Sequence, residues 1–230
     1  MKNKFYKTFI ILIQSLIFIQ YAFSEEINFE AKIIEFLDKD KKIIAKNNVR
    51  ILTDNEIITA DEMIYFKDDG IAELKGNLEL KRLDNSLFIY SDKLIYRKKT
   101  EEILISDNVL IEYNSKFEFI TNSAEYNRLD DKIILNSVST IKDKFGNKIS
   151  AKKSIFLIKE KILKINSVKM QDKEKNNYSF NNAIVNFNTD ELIGEEIKID
   201  FSKGSFGDKQ NDPRLRGNYI YKNQNSITIK

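Results

Sequence analysis

The sequence predicts an all-β protein built from a short repeat, and three observations carry that reading. An aromatic residue recurs at steps of about thirty positions, at Phe36, Tyr65, Tyr96, Tyr126, Phe156 and Phe187. A second apolar landmark keeps the same step at Val49, Leu78, Val109, Val138, Val168 and Ile197. The segments between are rich in Ile, Val, Phe, Tyr and Thr, alternate with period two, and carry no sustained helical stripe.

The first element is a leader. Lys2, Lys4 and Lys7 precede an apolar run from Phe9 to Phe23, and Ala22-Phe23-Ser24 supplies small residues at a cleavage site before Glu25. A basic start, a short apolar core and a small-x-small exit make a secretory signal peptide over residues 1–24. An uncleaved membrane anchor is the competing reading, although the run is shorter than the ~20 residues that span a bilayer comfortably. The formal charge of the whole chain is +3, and the leader holds three lysines and no acid. The exported part is therefore neutral, and bulk attraction to nucleic acid loses its support. There is no Cys and no His, so disulfides, thiol nucleophiles, imidazole chemistry and Cys/His metal sites are excluded.

Residues 25–203 hold the repeats, each read as two short strands. Ile58 to Phe66 is one strand, Lys67-Asp68-Asp69-Gly70 a turn, and Ile71 to Leu80 the next strand. Ala72, Leu74, Leu78 and Leu80 alternate as one buried face, and Ile103, Ile105, Val109 and Ile111 repeat the pattern. Turns at the same phase stand at Asp38-Lys39-Asp40, Leu129-Asp130-Asp131 and Asn188-Thr189-Asp190. Turns at Asp84-Asn85-Ser86 and Phe145-Gly146-Asn147 separate one copy from the next. A small or polar residue sits in mid-strand at Asn47, Gly76, Asp107, Ser137 and Ser167, and predicts a bulge or bend there. Between Leu135 and Val138, and between Ile165 and Val168, the inward parity is expected to slip.

Strands of this kind close as a barrel, wind as a solenoid or stack as a folded double sheet. For any single aromatic the default role is core packing. Taken as a whole, the ladder predicts a continuous apolar trough when the two faces splay apart, and an acyl chain suits such a trough. Paired acids at Asp68-Asp69 and Asp130-Asp131 lie at turn phase, where turn chemistry accounts for them better than acid–base catalysis. Asn177-Tyr178-Ser179 matches a glycosylation acceptor pattern, which is discounted.

Ala60-Asp61 through Gly76-Asn77-Leu78, and Ser91-Asp92 through Asp107-Asn108-Val109, resemble the OstA-like domain. This domain is shared by periplasmic lipopolysaccharide-bridge proteins of the LptA type and by the N-terminal part of LptD-type assembly proteins. The resemblance implies a folded β-jellyroll with an open apolar groove that shields lipopolysaccharide acyl chains in the periplasm. It implies no enzyme activity, no cofactor and no metal. The groove candidates are Phe36, Met63, Tyr65, Leu78, Leu94, Tyr96, Val109, Tyr126, Val138, Phe156, Val168 and Phe187. An edge around Phe29, Ile33 and Ile34 is expected to dock with similar domains by β-strand addition.

Gly204 to Asp208 and Asn211 to Gly217 resemble the segment that leads toward an outer-membrane barrel in LptD-type proteins, so residues 204–230 are read as a connector. The sequence lacks the cysteines common in those proteins and stops at Lys230 without barrel strands, which leaves a fragment or a free periplasmic module as the two expectations. A structural or adhesive β-solenoid with a closed core and no lipid cargo is the alternative function.

Overall fold

The computed structural model describes residues 27–143, 147–204, 214–223 and 226–230. The leader, most of the Phe145-Gly146-Asn147 turn and most of the Gly204 to Pro213 stretch lie outside the described residues. Every described element is a strand. In chain order they are β1 (Phe29–Glu30), β2 (Ile33–Leu37), β3 (Lys42–Leu52), β4 (Glu56–Phe66), β5 (Ile71–Arg82) and β6 (Leu87–Arg97). Then come β7 (Glu102–Tyr113), β8 (Phe117–Asn127), β9 (Lys132–Leu135), β10 (Ser139–Asp143), β11 (Lys148–Ala151) and β12 (Lys153–Leu157). The last are β13 (Ile162–Gln171), β14 (Asn177–Asn186), β15 (Glu191–Asp200), β16 (Arg214–Lys222) and β17 (Ile227–Ile229).

All pairings are antiparallel and mostly sequential, so the sheet is a long meander. Three of its lanes are interrupted. β1 and β2 both lie along β3, with Phe29 opposite Ile51 and Ile34 opposite Ala45. β9 and β10 both lie along β8, and β11 and β12 both lie along β13.

The meander bends because each early odd-numbered strand carries one extra residue at its middle. On β3, Lys46 faces Glu62 and Val49 faces Ala60, so Asn47-Asn48 together face Asp61 alone. The same arrangement sets Gly76-Asn77 and Asp107-Asn108 against Asp92 and Asn122. All six residues are left-handed, with φ of 65° and 57° at Asn47 and Asn48, 79° and 42° at Gly76 and Asn77, and 64° and 55° at Asp107 and Asn108. Asn, Asp and Gly tolerate this region best, which explains their recurrence.

Side chains then lock the bend from the preceding strand. Asn77 Nδ2 donates to Asp61 Oδ2 at 2.8 Å, and Asn108 Nδ2 donates to Asp92 Oδ2 at 2.6 Å. The Ala/Ser-Asp and Gly/Asp-Asn signatures are thus two halves of one hydrogen bond. Later copies use a single left-handed residue, Ser167 (φ 49°) and Glu196 (φ 52°). At Ser137 no left-handed bulge forms. The strand breaks there instead, between β9 and β10.

The bends divide each long strand into two limbs that fold over one another. One limb ends in the turns at 38–41, 67–70, 98–101 and 128–131, and the other in those at 53–55, 83–86 and 114–116. Each limb presents an unbroken inward row. The first runs Phe36, Ile43, Tyr65, Ala72, Tyr96, Ile103, Tyr126, Ile133, Phe156, Leu163, Val185, Leu192. The second runs Ile51, Ile58, Leu80, Ile89, Ile111, Phe119, Ile141, Ile149, Met170, Tyr178, Ile199. Together they form the core between the limbs.

A β-carbon on Gly76 would stand 2.5 Å from Asp61 Oδ2, on top of the left-handed strain. Gly76→Ala is therefore expected to lower stability by about 2 kcal/mol in urea unfolding. Asn47→Gly, at an equivalent left-handed position, is expected to change it by less than about 0.5 kcal/mol.

Candidate functional site

The site is built on the inward rows and on the mouth where the free ends of the limbs meet. Met63, Tyr65, Leu78, Leu94, Tyr96, Val109, Tyr126, Phe156 and Val168 all point inward and are buried. Phe36 has inward parity, opposite Ile43, yet it is 59% exposed. It lies on the end strand, where the other limb does not reach over it. Phe187 falls in the turn after β14, so Val185 takes its place in the row. Its ring instead stacks on Phe117 at 4.1 Å and meets Phe156 edge-on at 5.5 Å.

Val138 does not join the inward face. It is 64% exposed, and buried Ser139 holds that position and faces Ser154 at 3.2 Å between hydroxyl oxygens. The cause is the strand break, which keeps Leu135 and Ser139 at the same spacing as Ala45 and Val49 or Leu74 and Leu78. The parity slip expected in this copy is absent. In the next copy it is present, because Ile165 and Val168 are both buried on either side of left-handed Ser167.

Three kinds of contact close the mouth. At the first strands, Phe29 of β1 packs edge-on against Tyr65 at 6.4 Å, while β1 shares the end lane with β2 along β3. Further along, Tyr113 meets Phe156 at 4.7 Å beside the Phe117–Phe187 stack. Between them sits a charged clasp. Glu56, 2% exposed at the start of β4, accepts from Tyr126 Oη at 2.9 Å and from Arg128 Nε at 2.8 Å. Arg128 Nη1 also donates to Tyr96 Oη at 3.0 Å and pairs with Glu101, and its guanidinium lies 5.6 Å from the Tyr96 ring centroid. Arg82 Nη1 donates to Asp131 Oδ1 at 2.9 Å.

Tyr126, Tyr96 and Glu101 titrate away from their ordinary values. Burial pushes the Tyr126 and Tyr96 hydroxyls well above the usual phenol range, with Glu56 adding to the first and Arg128 opposing in the second. Burial alone would raise the Glu101 carboxyl, but Lys98 and Arg128 outweigh it and hold the group below its ordinary value. The clasp was not visible in the sequence, since Glu56 and Arg128 lie 72 positions apart. One signal was present. Arginine is rare among the lysines of this chain, and at turn phase it offers a planar fork that lysine lacks.

The outer end of the sheet is different. Among the described residues β2 pairs only with β3, which leaves its other edge free. Ile33, Ile34 and Leu37 on it are exposed along with Phe36. At the opposite end β17 pairs, among the described residues, only with β16, and Tyr219 and Ile227 are exposed. The paired acids are engaged in turns. Asp68 binds Lys41 at 2.7 Å and Asp130 binds Lys132 at 3.0 Å. Among the described residues no group of acids stands together as metal ligands.

Fold and site define a class, an antiparallel meander folded double around one continuous apolar face. The family described as OstA-like protein matches residues 26–176, and the chain belongs to that family. Among solved structures it is similar to LptH of Pseudomonas aeruginosa, the LptA-homologous periplasmic component of its lipopolysaccharide transport device. Identity is 12%, covering 61% of this chain and 82% of that one, with a TM-score of 0.28, an overlap too loose to transfer any property. No curated protein matches the sequence.

Arg128→Met leaves Glu56 buried without its cation and is expected to cost about 3–5 kcal/mol in chemical unfolding. Combining it with Glu56→Gln is expected to recover part of that loss, because no bare charge is then left in the core.

Proposed function

We propose that this chain is a periplasmic carrier that shields the acyl chains of lipopolysaccharide between its two limbs and passes the lipid toward the outer membrane. The observation that carries the reading is the inward apolar row, continuous from β2 to β15 and uncovered where it ends at Ile34 and Phe36. Family membership supports it. The leader over 1–24 exports the chain, residues 25–203 carry the lipid, and residues 204–230 connect onward, with an outer-membrane barrel as the downstream partner.

The physics suits an acyl cargo. Each methylene removed from water contributes about 0.8 kcal/mol, and an aliphatic chain needs no directional bonds. Moving it from one such interior to another is nearly neutral, so direction comes from the machinery at either end. Admission requires the limbs to part at the mouth. The free edge of β2 adds to the terminal strand of a similar domain, which joins the two apolar interiors. A closed structural solenoid is the second reading, and the clasped mouth over the middle strands favours it.

Photo-crosslinking separates the two. A benzoylphenylalanine at Phe156, on the inward row, or at Phe187, at the mouth, is expected to label with lipopolysaccharide, while one at outward Lys164 is not; absence of label at both Phe156 and Phe187 supports the closed solenoid. Ile34→Pro is expected to abolish co-purification with a bridge partner while leaving the far-ultraviolet circular dichroism unchanged. Retained co-purification removes the edge from the account.

A further inference from the structure

The outer face changes character along the sheet. Over the early strands, exposed lysines are matched across the ladder by acids. Lys75 meets Glu62 at 2.8 Å, Lys93 meets Asp107 at 2.8 Å, and Lys46 meets Glu35 at 3.4 Å. Over β10 to β16 this matching is incomplete. Two neighbouring outward rows run there through consecutive partners. One is Lys142, Lys148, Gln171, Asn177, Asp200, Arg214, and the other is Thr140, Ser150, Lys169, Ser179, Lys198, Arg216.

Asp200 is the sole carboxylate in the two rows, and it is shared by Lys198 at 3.7 Å and Arg214 at 3.6 Å. Lys142 is met by Glu118 at 3.6 Å. Lys148 and Lys169 have no ion pair among the described residues. Unmatched positive charge thus stands side by side on β11 and β13.

A hollow of about 560 Å³ lies over that place. Lys148, Lys169 and Lys198 line it together with the hydroxyls of Ser150 and Ser179 and the Asp200 carboxylate, which Lys198 and Arg214 already hold. Met170 also lines it, and Met170 belongs to the inward row. The hollow therefore reaches from a cationic, hydroxyl-bearing outer surface to the rim of the apolar interior. Its volume is that of a small-ligand site.

We propose that this hollow holds the phosphate-bearing head of an acyl lipid whose tail enters between the limbs past Met170. The ammonium groups of Lys148 and Lys169, with the two hydroxyls, suit a phosphate, which offers several acceptor oxygens and up to two negative charges. A neutral or zwitterionic head leaves the lysines unmatched. The tail part of this assignment rests on the lipid-carrier reading, and the head part rests on the hollow alone.

The test uses the full chain and three probes in titration calorimetry: dihexanoyl phosphatidic acid below its micelle concentration, dihexanoyl phosphatidylcholine, and inorganic phosphate. The phosphatidic acid is expected to bind most tightly and to weaken with added salt. The pair Lys148→Gln and Lys169→Gln is expected to weaken it about tenfold while leaving phosphatidylcholine binding unchanged. Lys75→Gln with Lys93→Gln, at matched lysines, is the control and is expected to change neither. Equal binding of phosphatidic acid to wild type and the hollow variant overturns the site. Inorganic phosphate binding as tightly as the lipid overturns the lipid assignment and leaves a free-phosphate site. Failure of both amphiphiles overturns the carrier reading and the tail assignment with it, whereas phosphatidylcholine binding without a preference for phosphatidic acid overturns the hollow alone.

Discussion

Two residues facing one at the middle of a strand is the constraint on which this molecule depends. At Asn47-Asn48, Gly76-Asn77 and Asp107-Asn108 the extra residue forces the backbone into the left-handed region and turns the strand. A flat meander of this length exposes both faces and cannot bury an apolar row. Bent at each lane, it folds double and buries one face against itself. The hydrogen bonds from Asn77 to Asp61 and from Asn108 to Asp92 tie each bend to the preceding strand, so neighbouring lanes bend together.

With the limbs apposed, the interior is held by two unlike forces. Most of it is dispersion and hydrophobic burial along continuous rows of Ile, Leu, Val and aromatic side chains, roughly 25 cal/mol for each Å² of apolar surface removed from water. The mouth adds a buried cluster in which Glu56, Arg128, Glu101 and Tyr96 satisfy one another. Such a cluster adds little net stability beyond what a well-packed apolar patch gives. What it supplies is a specific fit, because either partner left alone is a buried charge. A seam of this kind keeps an apolar interior closed to water and can still separate into two solvated halves.

Much of this was legible in the sequence, and the reasons are local. Period-two alternation at Ala72, Leu74, Leu78 and Leu80 fixes which side chains share a face, and Asn, Gly and Asp in mid-strand announce the left-handed bend. What failed depended on register or on distant packing. Val138 kept the repeat spacing but lost the inward place to Ser139 once the strand broke. Phe187 kept the spacing too, yet fell in a turn and joined Tyr113, Phe117 and Phe156 across the mouth. Phe36 has the right parity and still stands in the open, since its burial depends on a facing limb that ends before it. The clasp was invisible because only the fold brings Glu56 beside Arg128.

The central claim is that the limbs part at the mouth to take an acyl chain. With no native cysteine in the chain, nitroxide labels can be set at Asp84 and Leu129 alone, on exposed turns at opposite lips of the mouth. Electron–electron double resonance then reads their separation with and without lipopolysaccharide. The account predicts a longer mean distance in the lipid-bound sample and recovery of the shorter one when the lipid is removed. An unchanged distance in a sample shown to hold bound lipopolysaccharide would contradict it.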